Sequence, residues 1–157
     1  MITSSYDLPI RVARLLARAV EESGKSQSEI ARLAGLKRDS LRRTLNGDRA
    51  VTLDEALMVL GASDLEAEET LLLLLLVGEE FALTQSGTPH AKFLGELCRR
   101  APVEIVEQLG DSVEELRPRW ANGTAKMLAR TLTQHIADLN RRGDAIGERL
   151  LPLVAGS

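Results

Sequence analysis

The sequence is poor in several residue types on which whole functional classes depend. Aromatic residues are only 3% of its 157 residues, and no stretch alternates apolar and polar side chains as a half-buried strand does. Cys98 is the only cysteine, which excludes an intramolecular disulfide and zinc sites of the Cys₄ or Cys₂His₂ kind. It sits among Phe93, Leu94 and Leu97 and reads as a small core residue rather than a nucleophile. His90 and His135 are the only histidines, with nothing near them at metal-ligand or nucleophile spacing. His135 and Asp138, at i and i+3, read as a surface contact on a helix. Glycine-rich phosphate loops are absent. The expectation is a protein that is not an enzyme and needs no metal or cofactor.

Long apolar runs are also missing. The longest, Leu71 to Val77, has seven residues between glutamate pairs, far short of the ~20 needed to span a bilayer. It predicts a helix buried on nearly all sides. The opening Met1 to Asp7 has neither the basic flank nor the apolar core of a signal peptide. A cytoplasmic, nucleoid-associated protein with no membrane partner is expected.

Charge is present but unevenly placed. The net charge of -3 hides ten Lys/Arg against six Asp/Glu in residues 1–50, and ten against seventeen in residues 51–157. No Lys or Arg occurs between Arg49 and Lys92. A basic head on an acidic body suggests that one end meets a polyanion. Arginine outnumbers lysine sixteen to four, a bias that a GC-rich genome produces unaided, so it carries no weight here.

Helix signals recur along the whole chain. A first helix is predicted from about Asp7-Leu8-Pro9 to Gly24, with Val12, Leu15, Leu16, Ala19 and Val20 at helical spacing. Ser26 to Glu29 has the form of a capping box, and Thr52–Glu55, Ser63–Glu66 and Ser112–Glu115 repeat it. Thr84 to Pro89 is the best linker. Beyond it come short helices near Pro89–Arg100 and Pro102–Leu109. A longer amphipathic helix follows, carrying Ala125, Leu128, Leu132, Ile136 and Leu139, and Asp144 to Leu151 reads as one last short helix. The expected domains are 1–82, a linker at 83–89, and a helical domain at 90–157.

The informative constellation lies in the first third. Helices at Gln27–Ala34 and Arg38–Leu45 flank Gly35-Leu36-Lys37, the short glycine-containing turn of a helix-turn-helix. Ile30, Ala31, Leu33 and Leu36 are the expected corner core. On a helical wheel Arg38, Asp39, Arg42, Arg43 and Asn46 share an arc of ~140°, with Leu41, Thr44 and Leu45 opposite. Arginine pairs bidentately with guanine, Asp accepts from cytosine, and Asn bonds adenine or phosphate. Arg38 and Arg42 repel at i and i+4, and Lys37 and Arg38 sit at the positive end of the helix dipole. A helix that breaks local rules in this way calls for a partner anion. A charge run by itself is only a solvated face; the turn and caps around this one give it meaning.

Gly24 to Leu36, followed by Ser40-Leu41-Arg42 and Leu45-Asn46-Gly47, resembles the phage repressor/Cro-type helix-turn-helix family, with Thr52 to Leu57 continuing it as a fourth helix. The resemblance covers about residues 8–63. It implies an all-α fold: an N-terminal five-helix repressor-like domain followed by a helical C-terminal domain. It further implies that Gln27 and Ser28 bond the DNA backbone. Lys37, Arg38, Asp39, Ser40, Arg42 and Arg43 would read bases or adjacent phosphates, while Asn46 and Arg49 hold the phosphate chain beyond. Lys37 departs from the Ser or Thr that commonly caps the recognition helix. Thr44 fills a slot usually apolar, which predicts a slightly shifted or less buried helix.

Such heads usually dimerise to read two half-sites ~34 Å apart. Residues 64–157 are the expected place for a homodimer contact. The function expected is that of a dimeric transcriptional repressor on double-stranded DNA. The alternatives are an antitoxin bound to a toxin, or an interaction module acting on RNA polymerase.

Overall fold

The computed structural model describes residues 8–154, with side chains for residues 8–142. Among the described residues the chain is all-helical, with no strand. Its helices are α1 (Leu8–Glu22), α2 (Gln27–Leu33), α3 (Arg38–Leu45), α4 (Leu53–Ala62), α5 (Ala67–Leu76), α6 (Glu79–Gln85), α7 (Pro89–Leu109) and α8 (Ala121–Val154). Short 3-10 turns at Gly110–Glu115 and Pro118–Trp120 precede α8. No helix is long and apolar enough to cross a membrane among the described residues.

The chain divides into two compact units, Met1–Glu104 and Ile105–Ser157. In the first, α1 lays Leu15, Leu16, Ala19 and Val20 against a core completed by Ile30, Leu41, Leu60 and Leu74. That stripe is the one the helical spacing predicts. Basic side chains then tie helix ends together. Arg11 donates to the Leu74 carbonyl at 2.6 Å, and Lys25 donates to the Ala62 carbonyl at 2.8 Å, satisfying acceptors that the ends of α5 and α4 leave open.

The unit runs past the predicted boundary at residue 82. Ala82 and Leu83 of α6 and Ala91 of α7 are buried in the same core, so 83–89 is no free tether. Thr70 and Ser86 share a hydroxyl bond at 2.7 Å that fixes α6 to α5. Gly95 lets α7 lie close to α5: a Cβ there would stand 2.7 Å from Glu69 Cγ.

Other expectations give way to packing. Leu71, Leu73 and Leu74 are buried, but Leu75, Leu76 and Val77 are exposed, since α5 is covered on one side only. Ser63 does not start a helix. It ends α4, its hydroxyl donating to the Val59 carbonyl at 2.9 Å, and α5 starts after Glu66 with no side-chain cap. Ser112 lies in a 3-10 turn. The two predicted helices on either side of Pro102 are one, α7, and the residues from 102 to 112 are exposed, so water can serve the carbonyl that proline leaves without a partner. The expected last short helix is continuous with α8.

The second unit has a different character. From residue 102 to 142 no side chain is buried, and only Val113 and Leu132 reach half-burial. Ile105, Leu116, Trp120, Ala125 and Leu128 line an open groove of about 570 Å³.

Candidate nucleic-acid interface

Helix α2 begins at Ser26, whose hydroxyl accepts from the Glu29 N–H at 3.2 Å. It ends through two backbone bonds, Gly35 N–H to the Arg32 carbonyl at 3.3 Å and Leu36 N–H to the Ala31 carbonyl at 2.8 Å. That closure needs Gly35 in the left-handed region, at φ +66°. The chain then swings into α3, which opens at Lys37 with no side-chain cap. Ile30, Ala31, Ala34 and Leu41 fill the corner, with Leu36 half-buried. Leu33, expected there, is 48% exposed, and the smaller Ala34 takes the close approach instead.

On α3 the predicted arc faces outward. Arg38, Asp39, Arg42, Arg43 and Asn46 are exposed, as are Lys37, Gln27 and Ser28, while Ser40 is half-buried. Leu41 and Thr44 are buried and Leu45 is half-buried. Thr44 is therefore not the loose point its polarity suggested. Its hydroxyl accepts from Arg49 Nη1 at 3.3 Å, which lets a polar group occupy an apolar slot.

Arg49 is accordingly engaged within the chain. Its Nη2 bonds Glu55 Oε1 at 2.7 Å, and Glu55 also accepts from the Thr52 N–H in a capping box at the start of α4. The Arg49 hydrogen bond, then that of Thr52, hold the Glu55 carboxyl below its ordinary value. Thr44, Arg49 and Glu55 thus link the last turn of α3 to the first turn of α4.

Asp39 is also committed. It accepts from Arg42 Nη2 at 2.8 Å, and this bond, with the charges of Arg42 and Arg43, holds its carboxyl below the usual range.

The fate of the other cations separates this surface from the rest of the first unit. Arg14 and Arg18 pair with Glu79, and Arg18 also with Glu22 and Glu80. Lys25 pairs with Asp64, Lys92 with Glu66, Arg99 with Glu68 and Glu69, and Arg100 with Glu96. Arg11 is spent on the Leu74 carbonyl. Among the described residues of this unit, Arg32, Lys37, Arg38 and Arg43 make no ion pair and no side-chain hydrogen bond, and all four lie on the α2–turn–α3 segment.

Arg32 is an addition to the predicted set. Its signal in the sequence was a basic residue in the last turn of a seven-residue helix, where the helix dipole also favours it. In the second unit His135 does not face Asp138 as a bonded pair; Asp138 accepts from Arg141 at 2.5 Å. Cys98 is half-buried. No cluster of three or more His, Cys, Asp or Glu side chains suited to a metal ion occurs among the described residues.

These features define an all-helical chain whose first unit carries two short helices joined by a glycine turn, with a cationic outer face. No model of a known protein family matches it, and no curated protein or solved structure matches it either.

Proposed function

We propose that the first unit is a reading head of the phage repressor/Cro type, with α3 entering the major groove of double-stranded DNA. The observation that carries the reading is the grouping of the four unpaired cations on α2, the turn and α3, while the other basic side chains of the unit bind acids or a carbonyl. A cationic face left without counter-charges is destabilising by itself and becomes favourable against phosphate.

Arg38 and Arg43 are the base-reading arginines, each free to form a bidentate pair with guanine. Arg42, held by Asp39, is a positioned phosphate ligand. Gln27, Ser28 and Lys37 contact the backbone at the start of each helix, Arg32 contacts it from the last turn of α2, and Asn46 contacts it beyond α3. Arg49 acts from behind, fixing the end of α3 through Thr44. Ser40, half-buried in the first turn of α3, contacts an adjacent phosphate. The protein acts as a dimeric repressor that covers a palindromic operator.

The test is selection of random duplexes by the full chain at ~150 mM salt, beside the Arg38→Ala/Arg43→Ala variant. A palindrome enriched by the parent and lost in the variant supports the reading. No enrichment by the parent overturns it.

A further inference from the structure

We propose that α8 forms an antiparallel two-fold seam with α8 of a second copy of this chain, centred on Leu132. The inference deepens the dimeric part of the proposed function and rests on that reading for its role, although its observations come from the second unit alone.

The second unit is incomplete as it stands. A segment of some forty residues with no buried side chain does not offset the conformational entropy of ordering it. Its large apolar side chains are nonetheless about half exposed: Ile105 43%, Leu116 46%, Trp120 48%, Ile136 55% and Leu139 50%. With their neighbours they present on the order of 600 Å² of apolar surface, close to the ~800 Å² that each partner buries in a standard interface.

The stripe on α8 says which partner fits. Ala125, Leu128, Leu132, Ile136 and Leu139 are spaced three, four, four and three residues apart, so the pattern reads the same in both directions about Leu132. A second α8 running the opposite way sets Leu132 beside its twin, Leu128 beside the partner's Ile136, and Ala125 beside the partner's Leu139. Leu132, at the centre, is also the one half-buried side chain of the stripe. No charged residue lies within the stripe, and on the wheel Lys126, Arg130 and Arg141 fall on the far side, so two copies meet without like-charge repulsion.

Charge favours one direction. Glu107, Asp111, Glu114 and Glu115 outnumber Arg117 and Arg119 ahead of α8, whereas Arg142 and Arg141, the latter paired with Asp138, lie well along it, and among the described residues no ion pair joins the two groups within the chain. Antiparallel pairing sets each basic end beside the partner's acidic segment, while parallel pairing sets like beside like. It also delivers Ile136 and Leu139 of one copy to the groove lined by Trp120 and Leu128 of the other, the reciprocal contact of a two-fold interface.

The experiment uses the full chain without DNA, in a Cys98→Ala background. Sedimentation is expected to give twice the chain mass of 17.1 kDa at micromolar concentration. Leu132→Asp/Ile136→Asp should weaken association by ~10³-fold or more, with helical content retained in the first unit. Cysteines decide the geometry, and do so even if the Asp variant fails to fold. Under mild oxidation Leu132→Cys should crosslink to itself, and an equal mixture of Ala125→Cys and Leu139→Cys should crosslink to each other. Ala125→Cys alone should not, because its twin would lie ~20 Å away along the helix. A monomer, a dimer that survives the Asp substitutions, or self-crosslinking of Ala125→Cys overturns the seam. A monomer that still binds duplex through α3 leaves the DNA reading standing, and a seam-linked dimer indifferent to duplex does the reverse.

Discussion

Replacing Arg38 and Arg43 by alanine separates a DNA face from an ordinary solvated one. Neither side chain makes an ion pair or hydrogen bond among the described residues, so their removal should leave folding stability within about 0.5 kcal/mol. Loss of Arg38 even relieves its repulsion of Arg42 by a few tenths of a kcal/mol. The effect on DNA is expected to be large. With Arg32, Lys37 and Arg42 on phosphates, a bound dimer neutralises about six, giving a slope of log K against log salt near -5.4 at ~0.9 per contact. Between about 50 and 200 mM salt the affinity then falls by ~2 × 10³-fold. The double variant keeps these phosphate contacts and much of that slope, but loses about four bidentate base contacts per dimer at roughly 1–3 kcal/mol each, so its preference for the selected duplex over a scrambled one should collapse. Fluorescence anisotropy with both labelled duplexes, titrated at several salt concentrations, reads preference and slope. An unchanged preference in a variant with unchanged melting temperature would refute the assignment of this face.

Arg49→Ala should show the opposite profile. Loss of its bonds to Glu55 and Thr44 costs about 1–2 kcal/mol and lowers the melting temperature, while the salt slope changes by less than one contact. Glu55 has its carboxyl held below the ordinary 4.5, so its stabilising contribution is complete above that value and is lost as pH falls through the lower folded value. Acid unfolding followed by circular dichroism should therefore steepen below about pH 4.5, and Glu55→Gln should remove that component. Gly35→Ala meets no atom within 4 Å, so its cost is the left-handed backbone alone, ~1–2 kcal/mol by denaturant titration. Leu41→Ala, at a site with no solvent exposure, should cost ~3–5 kcal/mol in the same assay.

What could be read from the sequence was whatever local rules decide. Ser26 and Thr52 cap α2 and α4 because a hydroxyl three residues before an N–H reaches it under almost any tertiary packing. Gly35 marks the turn, and the 3.6-residue period turns Arg38, Asp39, Arg42 and Arg43 outward together. Contacts that depend on loop paths were not legible. The use of Arg49 by Glu55 and Thr44 requires the chain from Asn46 to Val51 to bring three separate positions together, and no periodicity encodes that. Ser63 has the same cap signature as Ser26, yet α4 reaches it first and turns its hydroxyl back to Val59. Leu33, expected in the corner, is exposed while the neighbouring Ala34 is buried, a choice that the apolar pattern alone does not make. That Arg32, Lys37, Arg38 and Arg43 stay unpaired was likewise not legible, because it depends on which acids, most of them on other helices, take up Arg14, Arg18, Arg99 and Arg100.

The Thr44–Arg49–Glu55 link spans twelve consecutive residues of chain, and this bears on how the head assembles. Bonds between sequence neighbours form after little loop closure, so the pose of α3 against α4 can be set early in folding, before distant helices arrive. A reading element aligned by its own immediate surroundings is portable. Its local bonds act together with the shared core that buries Leu41, so sequence change in the exposed second unit can be accommodated without disturbing the pose of α3.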